Sequence, residues 1–208
     1  MVGAVIVVST DGSCLRNPGG AIGWAWVNHT GGEAAGGAPS GTNQIAELRA
    51  ILEAVAAHPG DEPLMIESDS QYAIKCATEW LPGWKRKGWK TASGSPVKNV
   101  ELIRAIDAEI SGRTGPVRLR WVRGHVGNHF NEEADTLAGE AARKAREAGA
   151  VVGGPSAVDP AVLAPAAGGA AAPAPQVPAP SPTEDPAPAG GVGAAGASGD
   201  EPETMTLF

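Results

Sequence analysis

The chain has 208 residues, a formal net charge of −7 and two cysteines, and these features exclude several classes of protein. Two cysteines cannot build a disulfide framework, and no window holds the roughly 20 apolar residues that a membrane span requires. The N-terminal apolar run is short and lacks the basic residues of a secretion signal. We therefore expect a soluble, cytoplasmic protein with no membrane partner.

Composition divides the chain near residue 150. Residues 151–208 contain 11 of the 18 prolines, no lysine or arginine and one aromatic residue, so this segment cannot bury enough apolar surface to fold. We predict one folded domain over residues 1–150 and a disordered Ala/Pro/Gly-rich tail over residues 151–208. The tail carries six acids, which leaves 16 bases against 17 acids in the domain. A near-neutral domain is compatible with a nucleic-acid partner.

The domain begins with three strands that the pattern predicts to be antiparallel. Ala4–Thr10 is a short, mostly β-branched strand that runs directly into Asp11. Ile22–His29 alternates larger and smaller side chains, and Gly31 and Gly32 then turn the chain into a third strand rich in glycine and alanine. The first strand is expected to lie in the middle of the sheet, because its apolar run favours burial on both faces.

A crossover helix follows the three strands. Thr42 or Asn43 can cap it, its apolar residues recur every three or four positions, and a His-Pro-Gly sequence ends it. Leu64–Ser68 is then a strand parallel to the first, because a strand that returns through a helix is parallel to its predecessor. This strand also ends at an acid, Asp69. If the two strands are neighbours, Asp69 and the acid after the first strand emerge side by side.

The second half of the domain is predicted to complete an α/β fold. Ser70 caps a short helix that the Leu-Pro-Gly sequence at 81–83 ends, Ser95 and Pro96 begin another helix, Val117–Val122 is the fifth strand, and the last helix spans residues 131 to about 148. The sheet is therefore expected to be five-stranded and mixed, with three antiparallel strands followed by two parallel strands, and to be flanked by helices.

A basic stretch between Trp80 and Lys98 has no apolar stripe and no acid after Glu79. Its bases alternate with Trp84 and Trp89, and they are Lys85, Arg86, Lys87, Lys90 and Lys98. A basic run is commonly a solvated face, and tryptophan is commonly part of the core. Bases interleaved with tryptophan nevertheless favour a surface that follows phosphates.

Four acids occupy defined places. Asp11 and Asp69 end adjacent strands, Glu47 lies early in the crossover helix, and Asp135 lies in the first turns of the last helix. Each acid taken alone could be a turn former or a solvated helix acid. Carboxylates that point inward together raise one another's pKa unless cations neutralise them. A ligand set made only of oxygen favours Mg²⁺ or Mn²⁺ over Zn²⁺.

Five segments of the chain resemble type 1 ribonuclease H, of the bacterial type with a basic protrusion. They occur in the order and at the spacings of that family, over about Val2–Lys144, and they are TDGSCLRNPGG, TNQIAELRA, ESDSQYAI, GWKRKGWKTASGSPVKNVEL and GHVGNHFNEEADTLA. The resemblance implies the ribonuclease H-like fold and an endonuclease that hydrolyses the RNA strand of RNA/DNA hybrids. The expected products carry 5′-phosphate and 3′-hydroxyl ends.

The resemblance also implies catalytic roles. Asp11, Glu47, Asp69 and Asp135 would bind two Mg²⁺ ions, with Mn²⁺ as a substitute and with Asp11 as the bridge. Two ions about 4 Å apart serve both the attacking and the leaving oxygen of an in-line displacement. His125, in the glycine-flanked loop GHVG, would be the family's mobile histidine, which relays a proton or helps product to leave.

Further residues match family positions that hold the hybrid. The RNA minor groove and its 2′-hydroxyls would be contacted by polar side chains, as RNA recognition requires. Those residues are Asn17, Asn43, Gln44 and Gln71. Thr42 and Asn99 resemble a pocket for a DNA phosphate, in which Ser40 stands where some relatives have arginine, and Trp80 would pack against a DNA sugar. The basic protrusion would include Trp84, Lys85, Arg86 and Lys87.

The tail ends in an apolar peptide, Thr204–Phe208. Apolar anchors on a disordered tether suggest a docking peptide, although an incidental terminus is the simpler reading. The peptide loosely resembles the one by which bacterial replication proteins bind the sliding clamp, which usually begins with glutamine where this chain has Thr204. We expect a monomer whose main partner is an RNA/DNA hybrid.

Two alternatives belong to other functional classes. The first is a catalytically weak module that binds RNA/DNA hybrids, and the second is another nuclease of the same fold, such as a 3′ exonuclease or a transposase. The intact set of four acids argues against a pure binder, because such a protein has no use for carboxylates that repel one another. The basic stretch and the GHVG loop disfavour the other nucleases.

Overall fold

The computed structural model describes residues 4–124 and 127–153 and the backbone of residues 204–206. Three strands come first, and helices and further strands follow them along the chain. In chain order they are β1 (Ile6–Cys14), β2 (Ile22–Asn28), β3 (Glu33–Ala38), α1 (Asn43–Ala57), β4 (Leu64–Ser68), α2 (Gln71–Ala77), α3 (Leu81–Arg86), α4 (Val100–Gly112), β5 (Val117–Trp121), α5 (His129–Ala148), β6 (Val152–Gly153) and β7 (Thr204–Thr206).

The sheet has the strand order β6-β3-β2-β1-β4-β5-β7. Strands β1, β2 and β3 are antiparallel, and β4 and β5 continue the sheet in parallel with β1. The predicted fold class is therefore confirmed, with β1 near the centre of the sheet. Two short edge strands widen the five predicted ones, since β6 pairs with β3 and β7 pairs with β5. Segments of two or three residues are too short for a periodic pattern to reveal.

Two glycines allow helices to pack closely on opposite faces of the sheet. A Cβ atom at Gly12 of β1 would overlap the backbone of Glu47 in α1, and a Cβ atom at Gly23 of β2 would overlap the carbonyl oxygen of Ala138 in α5. Because adjacent side chains of a strand alternate between faces, α1 and α5 enclose the central strands between them. Glu47 is thereby held against the carboxyl-terminal half of β1.

The predicted caps of two helices are present. The Thr42 Oγ1 atom accepts a hydrogen bond from the Ile45 amide at 3.2 Å, and the Ser70 Oγ atom accepts one from the Ala73 amide at 3.3 Å. Each bond satisfies one of the amide groups that the first turn of a helix leaves free. The starts of α1 and α2 therefore follow from local sequence.

Three predicted boundaries were wrong. Strand β1 continues through Asp11 to Cys14, because β2 pairs with it along this length. Leu81 begins α3, whose first turn accommodates a proline without losing a hydrogen bond. Ser95 and Pro96 do not begin α4, since Pro96 pairs with Lys90 in an isolated β-bridge and the helix begins at residue 100.

Within the described ranges, none of the helices combines the length and the apolar character needed to cross a membrane. Residues 154–203 of the predicted tail lie outside the described residues.

Candidate active site

Three carboxylates meet where the central parallel strands diverge. Asp11 of β1, Glu47 of α1 and Asp69 each offer an oxygen atom, and these atoms lie within 4.8 Å of one another. The parallel pairing of β1 with β4 runs to the pair Thr10 and Ser68, so the next residue on each strand is an acid. The register of the sheet therefore brings Asp11 and Asp69 together, as the sequence predicted.

Glu47 joins this group through the placement of α1. Asn43 lies one helical turn before Glu47, and its Nδ2 atom donates a hydrogen bond to Glu47 Oε1 at 3.2 Å. The side chain is buried, and among the described residues Glu47 Oε2 has no hydrogen-bond partner. An unpartnered buried carboxylate oxygen is costly unless a cation or a bound molecule satisfies it.

Burial and mutual repulsion raise the pKa of two of these acids. Burial is the main cause that raises the pKa of Asp11 to about 8, and the charges of Asp69 and Asp135 add to it, while the Gly12 amide, which donates to Asp11 Oδ1 at 2.6 Å, opposes it. Burial first, and then Asp11 and Asp69, also hold the pKa of Glu47 well above its usual value. Such a group favours a positive charge at its centre.

The donor set therefore fits a hard divalent cation. All three side chains present carboxylate oxygens, which Mg²⁺, Mn²⁺ and Ca²⁺ prefer in proteins, whereas Zn²⁺ selects nitrogen and sulfur. A cation would neutralise the repulsion that raises the pKa values and would satisfy the free oxygen of Glu47.

The fourth predicted acid, Asp135, lies on α5 and is half-buried. It is not one of the three acids in the tight group, but its charge is among the causes that raise the pKa of Asp11. The structure thus places Asp135 as an electrostatic neighbour of Asp11. His125 lies outside the described residues.

The chain after β5 passes directly beside Asp69. A Cβ atom at Gly124 would overlap a carboxylate oxygen of Asp69, and the Trp121 Nε1 atom donates a hydrogen bond to the Asp69 carbonyl oxygen at 3.1 Å. Any larger residue at position 124 would displace the Asp69 carboxylate. The first residue of the GHVG loop therefore lies beside Asp69.

The predicted RNA-contacting residues lie at the same end of the sheet. The Asn43 amide donates to Asn17 Oδ1 at 3.3 Å, and the Asn43 side chain donates in turn to Glu47. Gln44 is exposed next to Asn43, and Gln71 is exposed two residues after Asp69. These amides are connected to the acid group by hydrogen bonds or by short stretches of chain.

The predicted DNA-contacting residues have partners of their own. Thr42 caps α1 and stays half-buried, while Ser40 is exposed. Asn99 adopts a left-handed backbone conformation before α4, and its Nδ2 atom donates to the Tyr72 hydroxyl at 3.2 Å. The Trp80 ring lies edge-on to Tyr72, with ring centroids 6.3 Å apart. Asn99 and Trp80 therefore share one neighbour, Tyr72.

Residues 80–98, here called the basic segment, are held by tryptophan packing. The Trp80 and Trp84 rings lie 5.6 Å apart, and the Arg104 guanidinium lies 4.8 Å from the centroid of Trp89. Arg86 and Lys87 are exposed together with the other bases of the segment. The tryptophans of the basic segment thus pack against the core, while its charged groups remain exposed to solvent.

Two features of the structure were not predicted from the sequence. Lys85 forms an ion pair of 2.8 Å with Asp107 of α4. The basic segment contains no acid of its own, but one from α4 lies against it. Glu67 is buried within β4 at 4% exposure, and the sequence alone had assigned this acid no role. A charged residue inside a buried strand is itself a signal, because such a residue needs a partner.

A mixed sheet with acids grouped at the ends of its central parallel strands places the chain in the ribonuclease H-like class of α/β folds. The family model for RNase H matches residues 4–143. The chain belongs to the ribonuclease H family, and it is an enzyme that hydrolyses the RNA strand of RNA/DNA hybrids internally.

Two curated relatives share close to half of the aligned residues with this chain. A ribonuclease H of Paracidovorax citrulli is 45% identical over 143 residues, which cover 67% of this chain and 95% of that protein. A ribonuclease HI of Streptomyces coelicolor is 45% identical over 156 residues, which cover 72% of this chain and 66% of that protein. Both alignments leave more than a quarter of this chain unmatched.

Solved structures support the same fold. A type 1 RNase H with the type 2 active-site motif superposes with a TM-score of 0.59 at 28% identity, and the match covers 73% of this chain and 78% of the other. A foamy viral protease-reverse transcriptase in complex with an RNA/DNA hybrid superposes with a TM-score of 0.59 at 21% identity. That match covers 67% of this chain and 20% of the viral protein, and it bears on the fold alone.

Proposed function

We propose that the chain cuts RNA/DNA hybrids with two divalent cations held by four carboxylates, those of Asp11, Glu47, Asp69 and Asp135. Mg²⁺ is the expected metal, and Mn²⁺ is expected to substitute. The observation that carries this proposal is the convergence of three carboxylates within 4.8 Å, two of them with raised pKa values. Such a group is unfavourable as a purely structural feature.

The chain's own residues prepare this site. When bound, two cations would stabilise the attacking and the leaving oxygen of an in-line displacement. The Gly12 amide orients the Asp11 carboxylate, and the Asn43 side chain orients the Glu47 carboxylate. Because both acids are buried, few water molecules compete for their oxygens. Both acids must lose their protons before they can bind a metal, so metal affinity should rise with pH.

The hybrid is proposed to lie across the end of the sheet that carries the acids. Hydrogen bonds run from Asn17 through Asn43 to Glu47, which would couple a groove-contacting amide to a carboxylate of the site. Gln44 and Gln71 would add contacts to 2′-hydroxyls. His125 would relay a proton or assist product release.

The DNA strand is proposed to be held on the other side of the hybrid. Thr42 and Asn99 would contact a DNA phosphate, Trp80 would pack against a sugar, and the basic segment would follow the backbone. The residues of that segment with this role would be Trp84, Lys85, Arg86 and Lys87. The exposure of its three bases supports this proposal.

The test is a cleavage assay with matched substrates. Labelled RNA/DNA hybrid, duplex DNA and duplex RNA are incubated with Mg²⁺, Mn²⁺ or chelator, alongside Asp69→Asn. We expect internal cuts in the RNA of the hybrid that disappear in chelator and in the variant. Binding of the hybrid without cleavage would instead support the hybrid-binding alternative, and equal cutting of all substrates would indicate another nuclease of this fold.

We further propose that Thr204–Phe208 docks on a partner, with the replication sliding clamp as the candidate. The backbone of residues 204–206 is extended and pairs antiparallel with β5, and an extended peptide can bind a partner by adding a strand. A pull-down with and without Thr204–Phe208 tests this proposal, and unchanged partners would refute it. A monomer and a cytoplasmic location also stay predictions.

A further inference from the structure

Glu67 is a buried acid outside the group of four, and side chains from three other segments surround it. Arg120 of β5 forms an ion pair with Glu67 Oε1. The Ser9 Oγ atom of β1 and the Asn128 Nδ2 atom each donate to Glu67 Oε2 at 3.4 Å. A buried carboxylate is tolerated when it is paired and hydrogen-bonded, and these three contacts satisfy both of its oxygens.

Asn128 connects this acid to the start of α5. Its Oδ1 atom accepts a hydrogen bond from the Asn131 amide at 3.3 Å and so caps the helix, while its Nδ2 atom donates to Glu67. One side chain therefore satisfies a free amide of the first turn and also links that turn to β4.

His29 provides a second connection between the sheet and the first turn of α5. The His29 Nε2 atom lies 3.0 Å from Ser9 Oγ, and its ring stacks on Phe130 of α5, with centroids 3.9 Å apart and planes inclined by 15°. Ser9, His29, Glu67, Arg120 and Asn128 are called here the Glu67 cluster. The first turn of α5 is thus connected to the sheet through both its cap and an aromatic ring.

The Glu67 cluster lies next to the acid site. Ser9 pairs with Glu67 across β1 and β4, and Asp11 and Asp69 each follow two residues later along the chain. Asp135 follows Asn128 by about two helical turns, and α5 packs on β1 and β2. The position of the first turn of α5 therefore decides where the carboxylate of Asp135 lies relative to Asp11.

We propose that Glu67 is a positioning residue, which holds the first turn of α5 on the sheet so that Asp135 faces Asp11. This inference rests on the proposed function, because it gives Asp135 a share in cation binding. The hydrogen bonds described above for Asp11, Glu47 and Asp69 do not involve the Glu67 side chain. Loss of the cluster should therefore remove only the contribution of Asp135.

The central variant is Asn128→Ser. Serine keeps a hydroxyl that can cap α5, but it lacks the amide that donates to Glu67. The variant therefore retains the cap and loses the hydrogen bond between α5 and β4. Glu67→Gln tests the same link from its other end. The matched control is Glu53→Gln, because Glu53 is also a buried acid paired with an arginine, at 2.7 Å from Arg49, but it lies within α1 and away from α5.

Three measurements are made on the full chain. The first is Mg²⁺ binding without substrate, measured as the shift of Tm with Mg²⁺ concentration. The second is hydrogen exchange, in chelator, of the amides in the first turn of α5. The third is kcat and KM for cleavage of the hybrid. We expect Asn128→Ser and Glu67→Gln to weaken Mg²⁺ binding about 10-fold, the size found when groups that orient metal ligands are removed, with KM for the hybrid unchanged. Exchange of those amides should become faster.

A double-mutant cycle decides whether Glu67 acts through Asp135. If it does, Glu67→Gln should weaken Mg²⁺ binding no further once Asp135→Asn is present. Fully multiplicative effects of the two substitutions would overturn the proposal. So would a lower Tm with unchanged Mg²⁺ binding in Asn128→Ser and Glu67→Gln, which is the result expected for Glu53→Gln. If the parent protein bound Mg²⁺ but cut no hybrid, the proposed function would fail, whereas the binding and exchange measurements would still decide this inference.

Discussion

The acids of the site come from separate strands and helices, whereas the bases of the basic segment come from one continuous stretch of chain. Asp11 and Glu47 are 5% and 7% exposed and share a cluster in which each charge acts on the others. Arg86 and Lys87 stand in solvent, where water and salt screen them from one another.

This difference predicts two kinds of response to substitution. Removing one buried acid changes the charge and the protonation of its neighbours, so its effect should be large and not additive. Removing an exposed base should cause a small and nearly independent loss, because screened charges interact weakly. The four predictions below test this contrast, from the largest expected effect to the smallest.

The largest effect is expected for Asp11→Asn. The change keeps the shape of the side chain but removes the charge at the centre of the group, so cleavage of the hybrid should fall at least about 1000-fold, a barrier increase of about 4 kcal/mol. Single-turnover cleavage at saturating Mg²⁺ measures it. Glu33→Gln serves as the control for loss of an exposed acid elsewhere, and activity of Asp11→Asn within tenfold of the parent would show that Asp11 is not a catalytic residue.

The same substitution should have the opposite effect on the metal-free fold. The pKa of Asp11 is about 8 in the folded chain and near 3.8 when unfolded, so the folded state binds the extra proton between these values. The free energy of unfolding in chelator should therefore fall as pH rises from about 4 to 8, and Asp11→Asn should restore about 1 to 3 kcal/mol at pH 8.

Urea unfolding at pH 5 and pH 8, each in chelator, measures this second effect. The parent and the variant should differ more at pH 8 than at pH 5. A variant that is less stable than the parent at both pH values would mean that Asp11 has a structural role.

A smaller effect is expected when two bases of the basic segment are removed. Lys85→Ala combined with Lys87→Ala should raise KM for the hybrid about 10-fold, leave kcat nearly unchanged and reduce the slope of log K against log salt by about one per lost phosphate contact. Steady-state kinetics at several salt concentrations measures this. The control is Lys144→Ala with Arg146→Ala, which removes two exposed bases near the end of α5. It should change neither KM for the hybrid nor the salt dependence.

The smallest effect is expected for Asp107→Asn. Asp107 holds Lys85 in a partly exposed ion pair, and release of that lysine should lower the Kd for the hybrid by no more than about fivefold, since exposed pairs contribute at most about 1 kcal/mol. Equilibrium binding at low salt, in chelator, measures it. The gain should vanish when Lys85→Ala is also present, and a gain that persists there would assign the effect to Asp107 alone.

Local patterns predicted those parts of the fold that short-range interactions decide. The sequence identified Ser70 as a cap and left Thr42 and Asn43 as alternatives for the other, of which the structure shows Thr42; a cap bonds an amide only three residues ahead. Ser95 and Pro96 carry a similar signal, yet Pro96 pairs with Lys90 instead, because the returning chain of the basic segment lies beside it. A local signal is therefore reliable only where no other stretch of chain, even one six residues away, pairs with the same backbone.

Part of the acid site was also predictable from the sequence. The sequence placed an acid after each of two parallel strands, and the sheet joins them because paired strands keep a common register. The ion pair of Lys85 with Asp107 could not be predicted, since the two residues lie on different helices with no pattern to relate them.

By itself, the sequence determined the five main strands of the sheet, the starts of α1 and α2, and the family, because periodicity, caps and collinear motifs depend on neighbouring residues. The tertiary structure alone decided that three carboxylates lie within 4.8 Å, that Glu67 is satisfied by three other segments and that an acid faces Lys85. These features depend on strand register and on the close approach of α1 at Gly12, which the packing of the whole domain sets.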